Sequence, residues 1–173
     1  YGKMPYASML FGDDAQETMQ KGQLVRSQGY RACKFGWGPF GRGSVSEDGE
    51  QIRAAREGLG ADGKLLIDAG TVWVDDEERA AAVLPALEEV GALWLEEPFV
   101  SGAIGAYRRL SDKCHRVKVA GGEGCHNRLM AEQMIDQGGL GFVQIDTGRI
   151  GGIAPAAAVA RDAQERGVTY VNH

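Results

Sequence analysis

Short apolar runs recur along this chain at intervals of about 25–30 residues, and from the second onward each leads into a charged residue. The runs are Tyr6–Phe11, Ala32–Phe35, Lys64–Asp68, Ala92–Leu95, Val117–Ala120, Phe142–Asp146 and Val168–Val171. Each has the length of a buried strand. Longer amphipathic segments fill the intervals: Ala15–Ser27, Glu50–Leu59, Asp76–Glu89, Ala103–Leu110, Arg128–Asp136 and Ile153–Arg166. Acidic clusters at Ser46-Glu47-Asp48 and Asp75–Glu78 mark helix starts, where the helix dipole favours negative charge. Gly29, Gly60, Gly91, Gly138 and Gly167 stand where helices end before the next strand, and such caps together with loop glycines explain the high total of 26. Seven strands alternating with six helices, with no hairpin signal, predict a parallel α/β sheet in one domain. Two architectures fit that pattern, an open doubly wound sheet and a piece of a barrel. A complete (β/α)8 barrel takes about 250 residues, so 173 residues argue against a whole one.

Charge narrows the function. Lys and Arg number 19 against 24 Asp and Glu, a net charge of −5, which speaks against a nucleic-acid partner or an anionic membrane surface. No apolar run approaches a membrane span, and the start Tyr1-Gly2-Lys3-Met4-Pro5 has no signal-peptide pattern and reads as an internal stretch of a longer protein. Three irregularly spaced cysteines, Cys33, Cys114 and Cys125, predict free thiols and a cytoplasmic location.

In parallel α/β folds the chemistry gathers at the carboxyl ends of the strands. Those ends carry Lys34, Asp68, Glu96-Glu97-Pro98, Gly121-Gly122-Glu123, Asp146 and His173. One such acid is ordinarily a helix cap or a solvated turn. Five acidic or histidine ends in succession, spaced 28, 27, 23 and 27 residues apart, are too regular for that explanation. Asp68, Glu96 and Glu123 converge on one point if the sheet curls into a barrel. Three carboxylates suit a hard cation such as Mg²⁺, and without one they repel each other and resist ionisation.

With these residues in place, the chain resembles the catalytic barrel of the enolase superfamily, in its mandelate racemase and muconate lactonizing enzyme-like branch. The resemblance rests on Lys34-Phe35-Gly36, Ile67-Asp68, Leu95–Pro98, Gly122-Glu123, Asp146 followed by Gly151-Gly152, and His173, and runs from near Pro5 to the last residue. It implies a (β/α)7β barrel, here as strands 1–7 without the final strand or the capping domain. It implies Asp68, Glu96 and Glu123 as Mg²⁺ ligands. Lys34 is then the base on one face of the substrate, and the Asp146–His173 pair the base or acid on the other. Abstracting a proton α to a carboxylate creates an enediolate that a divalent cation stabilises. A lysine acts as base only when its pKa is lowered. Histidine exchanges protons near neutrality, and a carboxylate behind it fixes its tautomer.

Two departures bear on the substrate, a small hydroxy-carboxylate. Ala32-Cys33-Lys34 lacks the first lysine of the Lys-x-Lys that the branch often has, and Gly70 replaces an amide side chain of the racemase type. Both argue against mandelate. Asp146 stands where the muconate-cycloisomerase branch has a lysine. The expectation is therefore a sugar-acid dehydratase, with a racemase or epimerase of 2-hydroxy acids as the alternative, and a non-catalytic relative or inactive fragment after that. The full-length protein is expected to be a homo-oligomer. Gly36–Gly41 matches G-x-G-x-x-G, but Pro39 and a polar stretch follow where a helix should open, so it reads as a loop at the site, with Trp37 and Phe40 as wall or packing. Cys114-His115 and Cys125-His126 lack zinc-finger spacing. His126 and Asn127 reach either substrate or solvent, and Glu97 stands behind the metal ligands.

Overall fold

Capping chemistry sets the ends of the elements. Ser44 accepts from the Glu47 N–H while Glu47 reaches back to the Ser44 N–H, a capping box that starts its helix at Val45, beside the acidic cluster and five residues before the amphipathic segment expected from Glu50. The computed structural model describes residues 4–173. Its strands are β1 (Ala7–Leu10), β2 (Ala32–Gly36), β3 (Lys64–Asp68), β4 (Trp94–Glu96), β5 (Lys118–Gly121), β6 (Phe142–Ile145) and β7 (Thr169–Asn172). Its helices are α1 (Ala15–Ser27), α2 (Val45–Leu59), α3 (Glu77–Ala81), α4 (Leu84–Val90), α5 (Ile104–Lys113), α6 (Arg128–Gln137) and α7 (Ile153–Glu165).

One expected helix, Asp76–Glu89, is two. Pro85 has no N–H to continue the ladder from α3, and it sits instead in the first turn of α4, where no donor is needed. Gly29, Gly60, Gly91 and Gly167 take the positive φ of helix ends. Gly138 does not, at φ −78°, and its neighbour Gly139 supplies the left-handed residue, at +69°.

All six strand pairings are parallel and sequential, in the order β1-β2-β3-β4-β5-β6-β7, and the sheet curls into a half-barrel. The period of two along each strand divides the core. Phe35, Ile67, Leu95, Val119 and Val143 join Val25, Ile52, Leu87, Leu110, Met134 and Val159 of the helices in the layer outside the sheet. Leu66, Trp94 and Ala120 face the other way and pack with Tyr6, Phe142 and Val171 inside the curl. That inner plug closes the curl below the strand ends, so Lys34, Asp68 and Glu96 stand on an apolar floor. Full burial of one large apolar side chain is worth about 1.5–3 kcal/mol, which makes the outer layer the main source of stability. No helix among the described residues is long and apolar enough to cross a membrane.

Candidate active site

The strand ends open on a cleft of about 410 Å³ lined by Lys34, Trp37, Asp68, Glu123, Arg149 and His173, among others. Parallel register carries the site residues there: Gly36 pairs with Asp68, and Asp68 with Glu96. A Cβ on Gly36 would stand 2.7 Å from the Asp68 Cβ, so glycine at the end of β2 makes room for the aspartate to turn inward.

The β2–β4 side is dry. The Lys34 Nζ donates to Glu96 Oε1 at 2.5 Å and lies 3.0 Å from Asp68 Oδ2. Glu96 is fully buried, and its second oxygen accepts from the Trp94 indole N–H at 2.9 Å. Burial, then Asp68, push the Glu96 carboxyl up to about 7 against the opposing pull of Lys34. Burial alone would lower the Lys34 pKa, but Glu96 and Asp68 outweigh it and raise the pKa above the ordinary value, so the ammonium is held charged. That is the reverse of the lowered pKa expected of a base, and the two carboxylates are the reason.

The β5–β7 side is wetter. His173 Nε2 lies 2.7 Å from Glu123 Oε2, and Nδ1 lies 3.5 Å from Asp146 Oδ2. Arg149 donates to Glu123 Oε1 at 2.9 Å. The Arg149 backbone N–H caps Asp146 at 2.9 Å and is the main reason that carboxyl is held below its ordinary value. The structure thus brings Asp146 and His173 together, as expected. The three expected metal ligands stand on one mouth but not at one point: Asp68 and Glu96 share Lys34, while Glu123 faces His173 and Arg149. Each carboxylate takes the nearest cationic side chain, and among the described residues no three acidic, His or Cys side chains cluster closely enough to hold an ion.

Glu97 links the two sides. At φ +40°, outside the conformations an L residue prefers, it turns its side chain under the β5 loop. Its Oε1 accepts from the N–H groups of Gly122 at 2.7 Å and Glu123 at 3.1 Å, and its Oε2 pairs with the Tyr107 hydroxyl at 2.5 Å. Glu97 therefore sets the loop that carries Glu123.

Other expectations separate cleanly. Phe40 is core, stacked 4.9 Å from Phe11, whereas Trp37 is exposed and lines the cleft. Asn127 caps α6 by accepting from the Met130 N–H. All three cysteines are free. Sequence reading missed Arg149, which nothing distinguishes from a solvated loop cation. It also missed Gln144, which is fully buried with neither amide atom hydrogen-bonded. An isolated polar residue at an inward position two before Asp146 was its available signal.

The donor chemistry, though not the spacing in this structure, suits a divalent cation: Asp68, Glu96 and Glu123 are carboxylate oxygen donors from adjacent parallel strands, and the first two already share a single positive charge. A half-barrel with acids at its strand ends and a Lys and a His lining the same cleft defines the class: a parallel α/β barrel scaffold. The particular lineage follows from comparison: residues 16–173 match the family model described as Enolase C-terminal domain-like. The chain belongs to the enolase superfamily, among its mandelate racemase-like members. It is 35% identical over 167 residues to L-galactonate dehydratase of Hypocrea jecorina, covering 94% of this chain and 35% of that protein. A crystal structure of a predicted mandelate racemase from Rhodobacter sphaeroides superposes with a TM-score of 0.96 at 55% identity, covering all of this chain and 44% of the other. A mandelate racemase/muconate lactonizing protein from Paracoccus denitrificans, complexed with magnesium, superposes at 0.85 with 26% identity, over 97% of this chain and 46% of that one. The chain thus spans less than half the length of each of these relatives.

Proposed function

We propose that these residues belong to an enzyme that removes the proton α to a carboxylate and, from a sugar acid, expels the β-hydroxyl. The carrying observation is that Lys34 and His173 line one cleft with Asp68 and Glu123, while the buried Glu96 pairs with Lys34 and Asp146 stands beside His173. A Mg²⁺ ion, which Asp68, Glu96 and Glu123 would hold, supplies the positive charge that stabilises an enediolate. Lys34 accepts a proton only as the neutral amine, so its ammonium must first leave Asp68 and Glu96 and give up a proton to solvent, and the same two carboxylates govern that ionisation. His173, oriented by Asp146 from one nitrogen, delivers a proton to a departing hydroxyl from the β7 side. Residues 1–173 are then most of one catalytic barrel. Similarity to L-galactonate dehydratase supports the dehydratase reading.

Racemisation is the second reading, favoured by Lys34 and His173 reaching the cleft from β2 and β7, which places a proton carrier on each side. One experiment separates the two. The intact protein is incubated with Mg²⁺ in deuterated solvent with a panel of sugar acids and 2-hydroxy acids, and α-deuteration and products are read by NMR. The expected result is α-exchange with formation of a 2-keto-3-deoxy acid, lost by at least 100-fold in Glu96→Ala together with Mg²⁺ binding by calorimetry. An epimer without keto acid selects the racemase. Exchange with none of the acids overturns both and leaves the non-catalytic relative.

A further inference from the structure

Trp37 is the anomaly of the cleft. It is 54% exposed, while Trp73 and Trp94 are 5% and 4% exposed. Both buried indoles donate hydrogen bonds, to the Gly41 carbonyl and to Glu96, whereas the Trp37 N–H donates to no group among the described residues. Among the described residues the Trp37 ring lies open to the cleft and joins neither apolar core cluster. The backbone is unfavourable, since Trp37 has φ +60°, a conformation that glycine adopts freely and a large L side chain does not. This strain aims the indole over the cleft beside Lys34 and Asp68.

Gly70 holds it there from behind. Gly70 is also left-handed, at φ +56°, and a Cβ on it would stand 2.9 Å from Cε2 and Cζ2 of the Trp37 ring. The indole therefore lies against the backbone two residues past Asp68, in space that any side chain at position 70 would claim. The exchange is reciprocal: absence of a side chain at 70 is what lets the aromatic ring form this wall.

We propose that Trp37, seated on Gly70, is a specificity-determining platform for the carbon chain of a polyhydroxylated acid. The inference rests on the reading that this cleft binds a sugar acid and adds the residue pair that selects it. An indole face carries negative quadrupole charge and attracts the weakly positive C–H hydrogens of a polyol chain. The lining also carries Ser8, Thr71 and Arg149, which can hydrogen-bond hydroxyls, beside the apolar Met9 and Leu10. An aromatic face in a cleft with such polar groups matches a ligand that presents both C–H groups and hydroxyls. The volume of about 410 Å³ lies within the range of about 300–1,000 Å³ of small-molecule sites.

The test measures affinities of the intact protein, with Mg²⁺, for L-galactonate, lactate and mandelate by calorimetry, alongside tryptophan emission. In wild type, L-galactonate binds more tightly than lactate or mandelate and shifts the tryptophan emission. Trp37→Ala weakens L-galactonate about 5- to 10-fold and lactate less than 2-fold, and it abolishes the emission shift. Trp37→Phe keeps most of the L-galactonate affinity. Gly70→Ala, which displaces the ring while leaving it in the chain, reproduces the selective loss. Equal weakening of both acids in Trp37→Ala, no weakening of either, tighter mandelate than L-galactonate in wild type, or wild type binding none of the three overturns the platform. Selective loss of L-galactonate affinity in a protein that exchanges no α-proton would sustain the platform and sink the chemistry. An unchanged affinity ratio in a protein that does exchange would do the reverse.

Discussion

The two sides of the cleft solve one electrostatic problem in opposite ways. On the β2–β4 side, Lys34, Asp68 and Glu96 are buried on an apolar floor, and Glu96 is pushed up to about 7 by burial and by Asp68. On the β5–β7 side, Glu123, Asp146, Arg149 and His173 are part-exposed, and Asp146 is held below its ordinary value, first by the Arg149 backbone N–H. The backbones differ as well. All four non-glycine residues of positive φ among those described, Trp37, Thr71, Val74 and Glu97, follow β2, β3 and β4, whereas the loops after β5 and β6 take such angles only at Gly122, Gly151 and Gly152. The dry side is strained, and its charges are paired with one another. The wet side has an imidazole within reach of two carboxylates. A proton carrier that must change partners is better placed on the second side than on the first.

Breaking the dry side should have the largest effect. Lys34→Met leaves two carboxylates facing each other without a cation, and a broken buried ion pair costs about 3–5 kcal/mol. Urea denaturation at pH 7 measures it, and a loss below 1 kcal/mol would show that water reaches the pair freely. Cutting the link between the sides should cost less. Glu97→Gln puts an amide N–H against donors from Gly122, Glu123 or Tyr107, a loss of about 1–3 kcal/mol. Hydrogen exchange should show faster opening at the Gly122 and Glu123 amides, with β2 and β3 unchanged; uniform acceleration would mean that Glu97 supports the whole sheet rather than one loop.

The smallest effect sharpens the contrast. Asp146 has a folded pKa below its ordinary value of 3.8. Its contribution to stability is therefore present above that value and lost as pH falls through the folded one. Asp146→Asn should lower the melting temperature slightly at pH 7 and not at all once the pH is well below 3.8. A difference that persists in acid would point to a packing effect of the substitution rather than to the ionised carboxylate.

Much of the scaffold was legible along the chain because its signals are local. Helix α1 runs over Ala15–Ser27 as its periodicity predicts, and β3 over Lys64–Asp68. Pro85 and the Ser44–Glu47 box moved boundaries for reasons that are also local, and a closer reading of capping would have placed them. Of the site, the positions at the strand ends were legible and the partners were not. Asp146 and His173 meet because β6 and β7 are neighbours in register, a consequence of strand order. That Lys34 inserts between Asp68 and Glu96, and that Trp37 fills the space left by Gly70, depends on contacts across β2, β3 and β4.

By itself the sequence determined that the chain forms a parallel α/β sheet whose charged residues gather at one end, because strand length, helix period and strand-end charge are written in consecutive residues. Only the tertiary structure decided which charges neutralise one another and which side of the mouth is dry. Those outcomes depend on distance and dielectric, which exist once the sheet has curled and the apolar plug has closed beneath it.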